Sequence, residues 1–227
     1  MLFLFDIDGT LLRRMPPAHR QALCDAASEV YGVRLEAEDL GQTAGLTDAA
    51  IARRMLGQAR VPEETIAAGL PSFFSLAARA YERHVPADLT PYHTPHAEEA
   101  LAWLRERDAH LGLVTGNIER IAWTKLAAAG LAEYFASGAF GDEAEAREEL
   151  PPRAVERASR LFGRAYAPDE VYVVGDTPAD IACGAASWYR TIAVATGPIH
   201  SLDALGACGP DYVLEDLGGI PGLDLWR

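Results

Sequence analysis

Leu2-Phe3-Leu4-Phe5-Asp6-Ile7-Asp8-Gly9-Thr10 opens the chain: four apolar residues run into two carboxylates two positions apart, then a glycine. A short unbroken apolar run bounded by a turn signal reads as a strand buried on both faces, as in parallel sheets. Asp6 and Asp8 then stand where a central strand leaves its sheet, with the same side-chain parity. Ligands of open parallel sheets bind just outside the carboxyl ends of the strands, and Gly9 lets the backbone turn away from whatever the carboxylates hold. Taken alone, Asp-x-Asp-Gly is more often an acidic turn than a catalytic site, so the rest of the chain decides.

Two further apolar runs end in equally polar punctuation. Leu111-Gly112-Leu113-Val114 leads into Thr115-Gly116-Asn117 and then a helical pattern carrying Ile121, Leu126 and Leu131. A hydroxyl, a glycine and an amide at a strand-to-helix junction can cradle an anion, though the same residues also serve as an ordinary helix cap. Val171-Tyr172-Val173-Val174 leads into Gly175-Asp176-Thr177-Pro178-Ala179-Asp180, with one carboxylate at the strand end and a second one helical turn on. If the three strands are parallel neighbours, Asp6, Asp8, Thr115, Asp176 and Asp180 meet at one sheet edge. Carboxylates crowded together call for a cation, and all-oxygen ligands favour magnesium over zinc.

These segments resemble the first, second and fourth motifs of the haloacid dehalogenase superfamily, in its order and spacing and over nearly the whole chain, with phosphoglycolate-phosphatase-like members as the nearest match. The resemblance implies an aspartyl-phosphate mechanism. Asp6 would attack phosphorus, and Asp8 would protonate the leaving oxygen and later activate water. Mg2+ would be held by the Asp6 carboxylate, the Asp8 main-chain carbonyl and Asp176, with Asp180 in support. Thr115 and the amides of Gly116 and Asn117 would hold the phosphoryl oxygens. The superfamily's dehalogenases typically lack an acid at the Asp8 position, because a halide leaves without a proton. Asp8 therefore argues for a phosphate ester.

The third motif departs from the pattern. It normally supplies a lysine, and the only lysine here is Lys125. Lys125 lies eight residues past Asn117, about 12 Å along a helix axis, a separation expected to keep it from the phosphate. The segment Arg147-Glu148-Glu149-Leu150-Pro151-Pro152 aligns Glu149 with the lysine, which is chemically wrong. Arg147, two residues earlier, is the expected replacement, since a guanidinium keeps its charge and suits a carboxylate and a phosphate at once. The alternative for Arg147 is a solvated partner of Glu143 or Glu148.

The composition suits a cytoplasmic enzyme. The 227 residues, 49% hydrophobic and 23% charged, can bury a full core. A net charge of −13 argues against nucleic acid or an anionic membrane as partner, and leaves the metal and local N–H groups to attract an anionic substrate. Cys24, Cys183 and Cys208 lack metal-ligand spacing and read as buried thiols of a reducing compartment. No signal peptide or membrane-spanning stretch is visible.

Between the first two motifs the pattern changes to helical stripes. Leu23, Ala26, Ala27, Val30 and Tyr31 form one, stopped by Gly32; Ile51, Ala52, Met55, Leu56 and Ala59 form another, capped by Thr47 or Asp48. A short helix is expected from Pro62, and a separate one carrying Phe73, Phe74, Ala77, Ala78 and Tyr81. Residues 15–88 thus read as a helical cap inserted into a core of residues 1–14 and 89–227, with hinges at 13–17 and 86–95. Gly45-Leu46-Thr47-Asp48 resembles the loop that family members aim into the active site, making Thr47 and Asp48 candidates for substrate contact as well as for plain capping. Arg53 and Arg54 read mainly as solvated, and His19 receives no role.

Further strands at 191–194 and 212–214, with helices at 151–162, 178–186 and 201–205, complete alternating β and α units. The fold class is α/β, a Rossmann-like parallel sheet with an inserted helical cap. The leading expectation is a Mg2+-dependent phosphatase acting on a small phosphorylated metabolite. A sugar phosphomutase of the same chemistry and a catalytically weak binding module are the alternatives, and the oligomeric state is not legible.

Overall fold

The structure is a computed structural model that describes residues 1–13 and 17–225. Six strands, β1 (Leu2–Phe5), β2 (His110–Val114), β3 (Gly138–Ala139), β4 (Val171–Gly175), β5 (Arg190–Val194) and β6 (Tyr212–Leu214), form one parallel sheet in the order β3-β2-β1-β4-β5-β6. β1 lies between β2 and β4, with Phe5 opposite both Leu113 and Val174. The three strands that end in polar punctuation are therefore adjacent and finish level with one another. The expected convergence at one sheet edge follows from this register.

Alternation along the strands divides the core in two. Phe3, Phe5, Leu111, Leu113, Tyr172 and Val174 pack beneath α4 (Ala97–Arg105) and α5 (Glu119–Ala128). Leu2, Leu4, Val114, Val171 and Val173 pack beneath α6 (Leu150–Phe162) and α7 (Pro178–Ala186). Both faces of β1 are thus buried, which is why its sequence is a continuous apolar run rather than an alternating one. Full burial of each such leucine or phenylalanine contributes about 1.5–3 kcal/mol.

The helical layer has its own core. It comprises α1 (Ala18–Tyr31), α2 (Asp48–Gln58) and α3 (Glu63–His84), whose stripes pack together around Leu23, Met55, Leu56, Phe73 and Tyr81. Ile118 and Ile121, from the start of α5, join this cluster, so the cap is seated on the helix that follows the second motif. Gly32 ends α1 in the left-handed conformation, as its position implied. The stretch expected to hold two helices is one 22-residue helix with Pro71 inside it. Pro71 removes one helical hydrogen bond, but the flanking turns are held from outside: the Tyr31 hydroxyl donates to the Ile66 carbonyl at 2.9 Å, and Phe73 is fully buried.

The return from the cap is pinned to the segment after β1. Arg13 N–H donates to the Tyr92 carbonyl, Thr94 N–H to the Leu11 carbonyl, and the Thr94 hydroxyl to the Thr10 carbonyl at 2.6 Å. Residues 14–16 of the first expected hinge lie outside the described residues. β3 and α4 join the sheet and its cover without having been anticipated, and Cys208, unlike Cys24 and Cys183, is exposed, because it follows the short surface helix α8 (Leu202–Gly206). No described helix is long and apolar enough to cross a membrane.

Candidate active site

Asp6 is the first residue past β1 and still holds the ladder, its N–H donating to the Val174 carbonyl at 2.9 Å. Its side chain is therefore fixed at the sheet edge, and it is buried. Gly9 then turns the chain at φ +95°, and a Cβ at that position would lie 2.2 Å from an Asp176 oxygen. Glycine is required there both for the left-handed backbone and for the close approach of Asp176.

Asp6, Asp176 and Asp180 each offer a carboxylate oxygen within 4.8 Å of the other two. Burial raises the Asp6 carboxyl to about 6 despite Arg147, with Asp180 and Asp8 adding to the rise. Burial, reinforced by Asp6 and Asp180, pushes Asp176 up to about 8. Two buried acids whose ionisation is opposed, with the Asp180 carboxylate beside them and oxygen as the only donor type the three carboxylates offer, fit a hard divalent cation. Asp180 contributes differently from the other two. One of its oxygens accepts from Arg147 Nη2 at 2.5 Å, and the other accepts from the Thr177 N–H at 3.0 Å and hydroxyl at 2.6 Å in a capping box at the start of α7. Asp6 and Asp176 are left as the freer donors.

Arg147 lies at the centre of this group. Its Nη2 is 3.2 Å from Asp6 and 2.5 Å from Asp180, and the side chain is 93% buried by its 7% exposure. Burial opposes its charge, but Asp180 and Asp6 more than compensate and hold it protonated. Its Nε is buried without a hydrogen-bond partner, a donor left over at the site. Glu149, the residue aligned with the usual lysine, points elsewhere and pairs with Arg153.

Asp8 occupies a separate environment. Its carboxylate is turned away from the acidic cluster to Lys125, whose Nζ lies 2.5 and 2.8 Å from the two oxygens, and it accepts from Asn117 Nδ2 at 2.9 Å. Desolvation by the surrounding protein alone would raise Asp8, but Lys125, His19 and Asn117 bring it below the ordinary carboxylate range. The expectation that Lys125 stands too far off is overturned: Nζ reaches Asn117 Oδ1 itself at 2.5 Å. Axial rise measured the backbone only. A lysine side chain leans toward the N-terminus of its helix and covers several ångströms of that distance. Lys125 is a site cation that sequence reasoning set aside, and its burial, 1% exposed, was the signal that only the fold supplies.

Asn117 also donates to the Thr115 hydroxyl at 2.7 Å, so the Thr115-Gly116-Asn117 turn is held together by its own side chains. The two cap candidates differ. Thr47 caps α2, accepting from the Ala50 N–H, and its hydroxyl donates across to the Glu145 carbonyl at 3.0 Å. Asp48 accepts from the Ile118 N–H at 2.7 Å and lies 2.9 Å from His19 Nε2. His19, given no role from the sequence, is thereby part of the site, since its Nδ1 lies 3.3 Å from Lys125 Nζ. Arg53 pairs with Glu145 across the same junction and with Glu63, while Arg54 Nη2 donates to the Leu40 and Gln42 carbonyls at 2.7 Å. A cavity of about 410 Å3 lies between sheet edge and cap, lined among others by Asp6, Asp8, Asp176, Gly116, Asn117, Lys125, Arg147, His19 and Asp48. Neither Thr47 nor Thr115 is among its lining residues.

The chain is 27% identical to the phosphoglycolate phosphatase of Nitrosococcus oceani over 229 residues, covering 98% of this chain and 95% of the relative. It is 29% identical to the phosphoglycolate phosphatase of Cereibacter sphaeroides, covering 94% and 95%. Its fold matches the crystal structure of a predicted phosphoglycolate phosphatase from Haemophilus somnus, with a TM-score of 0.68 at 19% identity over 97% of this chain and 96% of that one. Residues 1–187 match the haloacid dehalogenase-like hydrolases as a family, and the chain belongs to it.

Proposed function

We propose that the protein is a Mg2+-dependent phosphatase that hydrolyses a small phosphorylated metabolite through a phosphoaspartate on Asp6. The observation that carries this reading is the separation of two carboxylates two residues apart. Asp6 sits among Asp176, Asp180 and Arg147, while Asp8 faces Lys125 and Asn117. Two acids of one motif in different surroundings are suited to different tasks.

In this reading Asp6 and Asp176, with the Asp8 main-chain carbonyl and support from Asp180, hold Mg2+, which when bound neutralises charge on the phosphoryl group and on the acids. An Asp6 oxygen attacks phosphorus as the bond to the leaving oxygen breaks, and Asp8, carrying a proton, delivers it to that oxygen. The incoming phosphoryl dianion favours protonation of Asp8 by adding negative charge beside it. Asp8, now a carboxylate held by Lys125, takes a proton from water. The water oxygen attacks phosphorus, the bond to Asp6 breaks, and phosphate leaves. Arg147, with a spare buried Nε, and the Thr115-Gly116-Asn117 turn orient the phosphoryl oxygens. The cap shields phosphoryl transfer to Asp6 from bulk water and limits the leaving group to what about 410 Å3 can hold.

Names of relatives support phosphoglycolate as the first substrate to try. The test is phosphate release from a panel of small phosphate esters with Mg2+ and with chelator, using Asp6→Asn as the blank. Metal-dependent release lost in that variant is expected. A folded protein that releases no phosphate from any ester overturns the reading.

A further inference from the structure

Outside the acidic cluster, at the seam between cap and core, four polar side chains form one continuous line. From the cap, the Asp48 carboxylate accepts from the Ile118 N–H at 2.7 Å and meets His19 Nε2 at 2.9 Å. The other ring nitrogen, Nδ1, lies 3.3 Å from Lys125 Nζ, which in turn grips both oxygens of Asp8. Asp48 and Lys125 are each 1% exposed, His19 is partly buried, and the line ends at Asp8 on the cavity.

Main-chain hydrogen bonds close the same seam. Asp48 N–H donates to the Gly116 carbonyl at 2.7 Å and Ala49 N–H to the Gly141 carbonyl at 2.9 Å. A Cβ on Gly141 would lie 1.7 Å from the Gly116 oxygen and 2.9 Å from the Asp48 nitrogen, so the approach of cap to core leaves no room for a side chain. The start of α2 is therefore docked on the turn that carries Asn117, and Asn117 and Lys125 are the two groups that orient Asp8. Asp48 and His19 belong to the cap, whereas Lys125 and Asp8 belong to the core. If the cap lifts, the Asp48 and His19 contacts to the core part together, and Lys125 loses one of its three side-chain hydrogen-bond partners along with the Tyr81 ring 5.9 Å away.

We propose that Asp48 and His19 are positioning residues that couple closure of the cap to the placement of Lys125 and, through it, of Asp8. Asp48 acts as the latch and His19 as the link, so Asp8 is correctly aimed only when the cap is down. This deepens the phosphatase reading and rests on it. Proton delivery to the leaving group is thereby tied to the state in which the substrate is enclosed, so the ester bond breaks only once the cap has closed over it.

The test compares two substrates in Asp48→Asn and His19→Asn. Nitrophenyl phosphate expels a stabilised phenolate with little need of a proton, whereas phosphoglycolate expels an alkoxide that needs one. Because kcat/KM reports steps up to the first irreversible one, it isolates phosphoryl transfer to Asp6. The variants are expected to lose several-fold in kcat/KM on the aryl ester and at least about tenfold more than that on the alkyl ester. A purely mechanical latch lowers both equally, and equal losses overturn the proposal. A second readout needs no turnover. In His19→Asn, which touches neither amide, hydrogen exchange at Ile118 and Ala49 is expected to quicken at least about tenfold, while Ala122 inside α5 keeps its rate. Unchanged exchange at both seam amides overturns the coupling. Absence of Asp6-dependent turnover in the wild type counts against the phosphatase reading instead, and exchange then decides the linkage alone.

Discussion

Lys125 Nζ lies 2.5 Å from one oxygen of Asp8 and 2.8 Å from the other, an ion pair between the last turn of α5 and the turn after β1, 117 residues apart in sequence. The lysine is almost fully buried, while the Asp8 side chain is 42% accessible from the cavity. A cation so placed controls one carboxylate of the motif and leaves the other to Arg147. The site therefore divides its positive charge between two acids.

Replacing Lys125 by methionine keeps the side-chain length and removes the charge. We expect kcat/KM for an alkyl phosphate to fall by about 10²–10³, the range for removing one oriented donor from a catalytic group. Stability should change far less, by about 1–2 kcal/mol in either direction, because Asp8 has access to cavity water once unpaired. Urea unfolding beside steady-state kinetics checks both; wild-type rates in a folded variant contradict the assignment.

Arg147 is expected to be more costly to remove. Arg147→Ala leaves Asp6 and Asp180 buried without their shared cation, and breaking such a group typically costs about 3–5 kcal/mol. Turnover should fall by at least about 10², with Arg147→Lys recovering part of the stability and less of the rate, since an ammonium restores the charge between Asp6 and Asp180 but lacks the further guanidinium donors, such as the unpaired Nε, left for a phosphoryl oxygen. Calorimetry and kinetics on the pair of variants test this.

The acidic cluster makes a signed prediction about pH. In the folded, metal-free protein Asp6 is raised to about 6 and Asp176 to about 8, from an ordinary 3.8. Between about pH 4 and pH 8 the folded state therefore binds more protons than the unfolded state, and stability falls as pH rises through that window. Mg2+ must displace those protons, so its affinity rises over the same range and binding releases protons. Melting temperatures with chelator should drop from pH 5 to pH 8, and the stabilisation added by Mg2+ should grow. A metal effect independent of pH would contradict this account of the cluster.

Gly141→Ala tests the seam sterically. A methyl there collides with the Gly116 carbonyl, a backbone atom that cannot turn aside. Loss of activity on every ester, aryl and alkyl alike, is expected together with faster proteolysis in the cap. Normal activity would show that the seam yields without consequence.

Much of this was legible in the sequence because the chemistry lies at strand ends. A fully buried strand must be apolar, so Asp6, Thr115 and Asp176 stood out as the residues where each run stopped, and the parallel register brings those stops together. Arg147 was legible only by elimination from a motif with its lysine missing. His19 and Lys125 were not legible, since neither has a local signal: each acquires its role from an element far away in sequence that packs against it. The single helix α3 was hidden for a different reason. Pro71 is a valid local stop signal, overridden by packing on both sides of it.

The central claim, covalent catalysis by Asp6, is tested most directly by acid-quenching the enzyme within its first turnover of a 32P-labelled ester in Mg2+ and mapping the protein-bound label. The account predicts acid-stable, hydroxylamine-labile phosphate on the peptide containing Asp6, absent from Asp6→Asn. Turnover that proceeds with no protein-bound phosphate, or with the label on another residue, would contradict it.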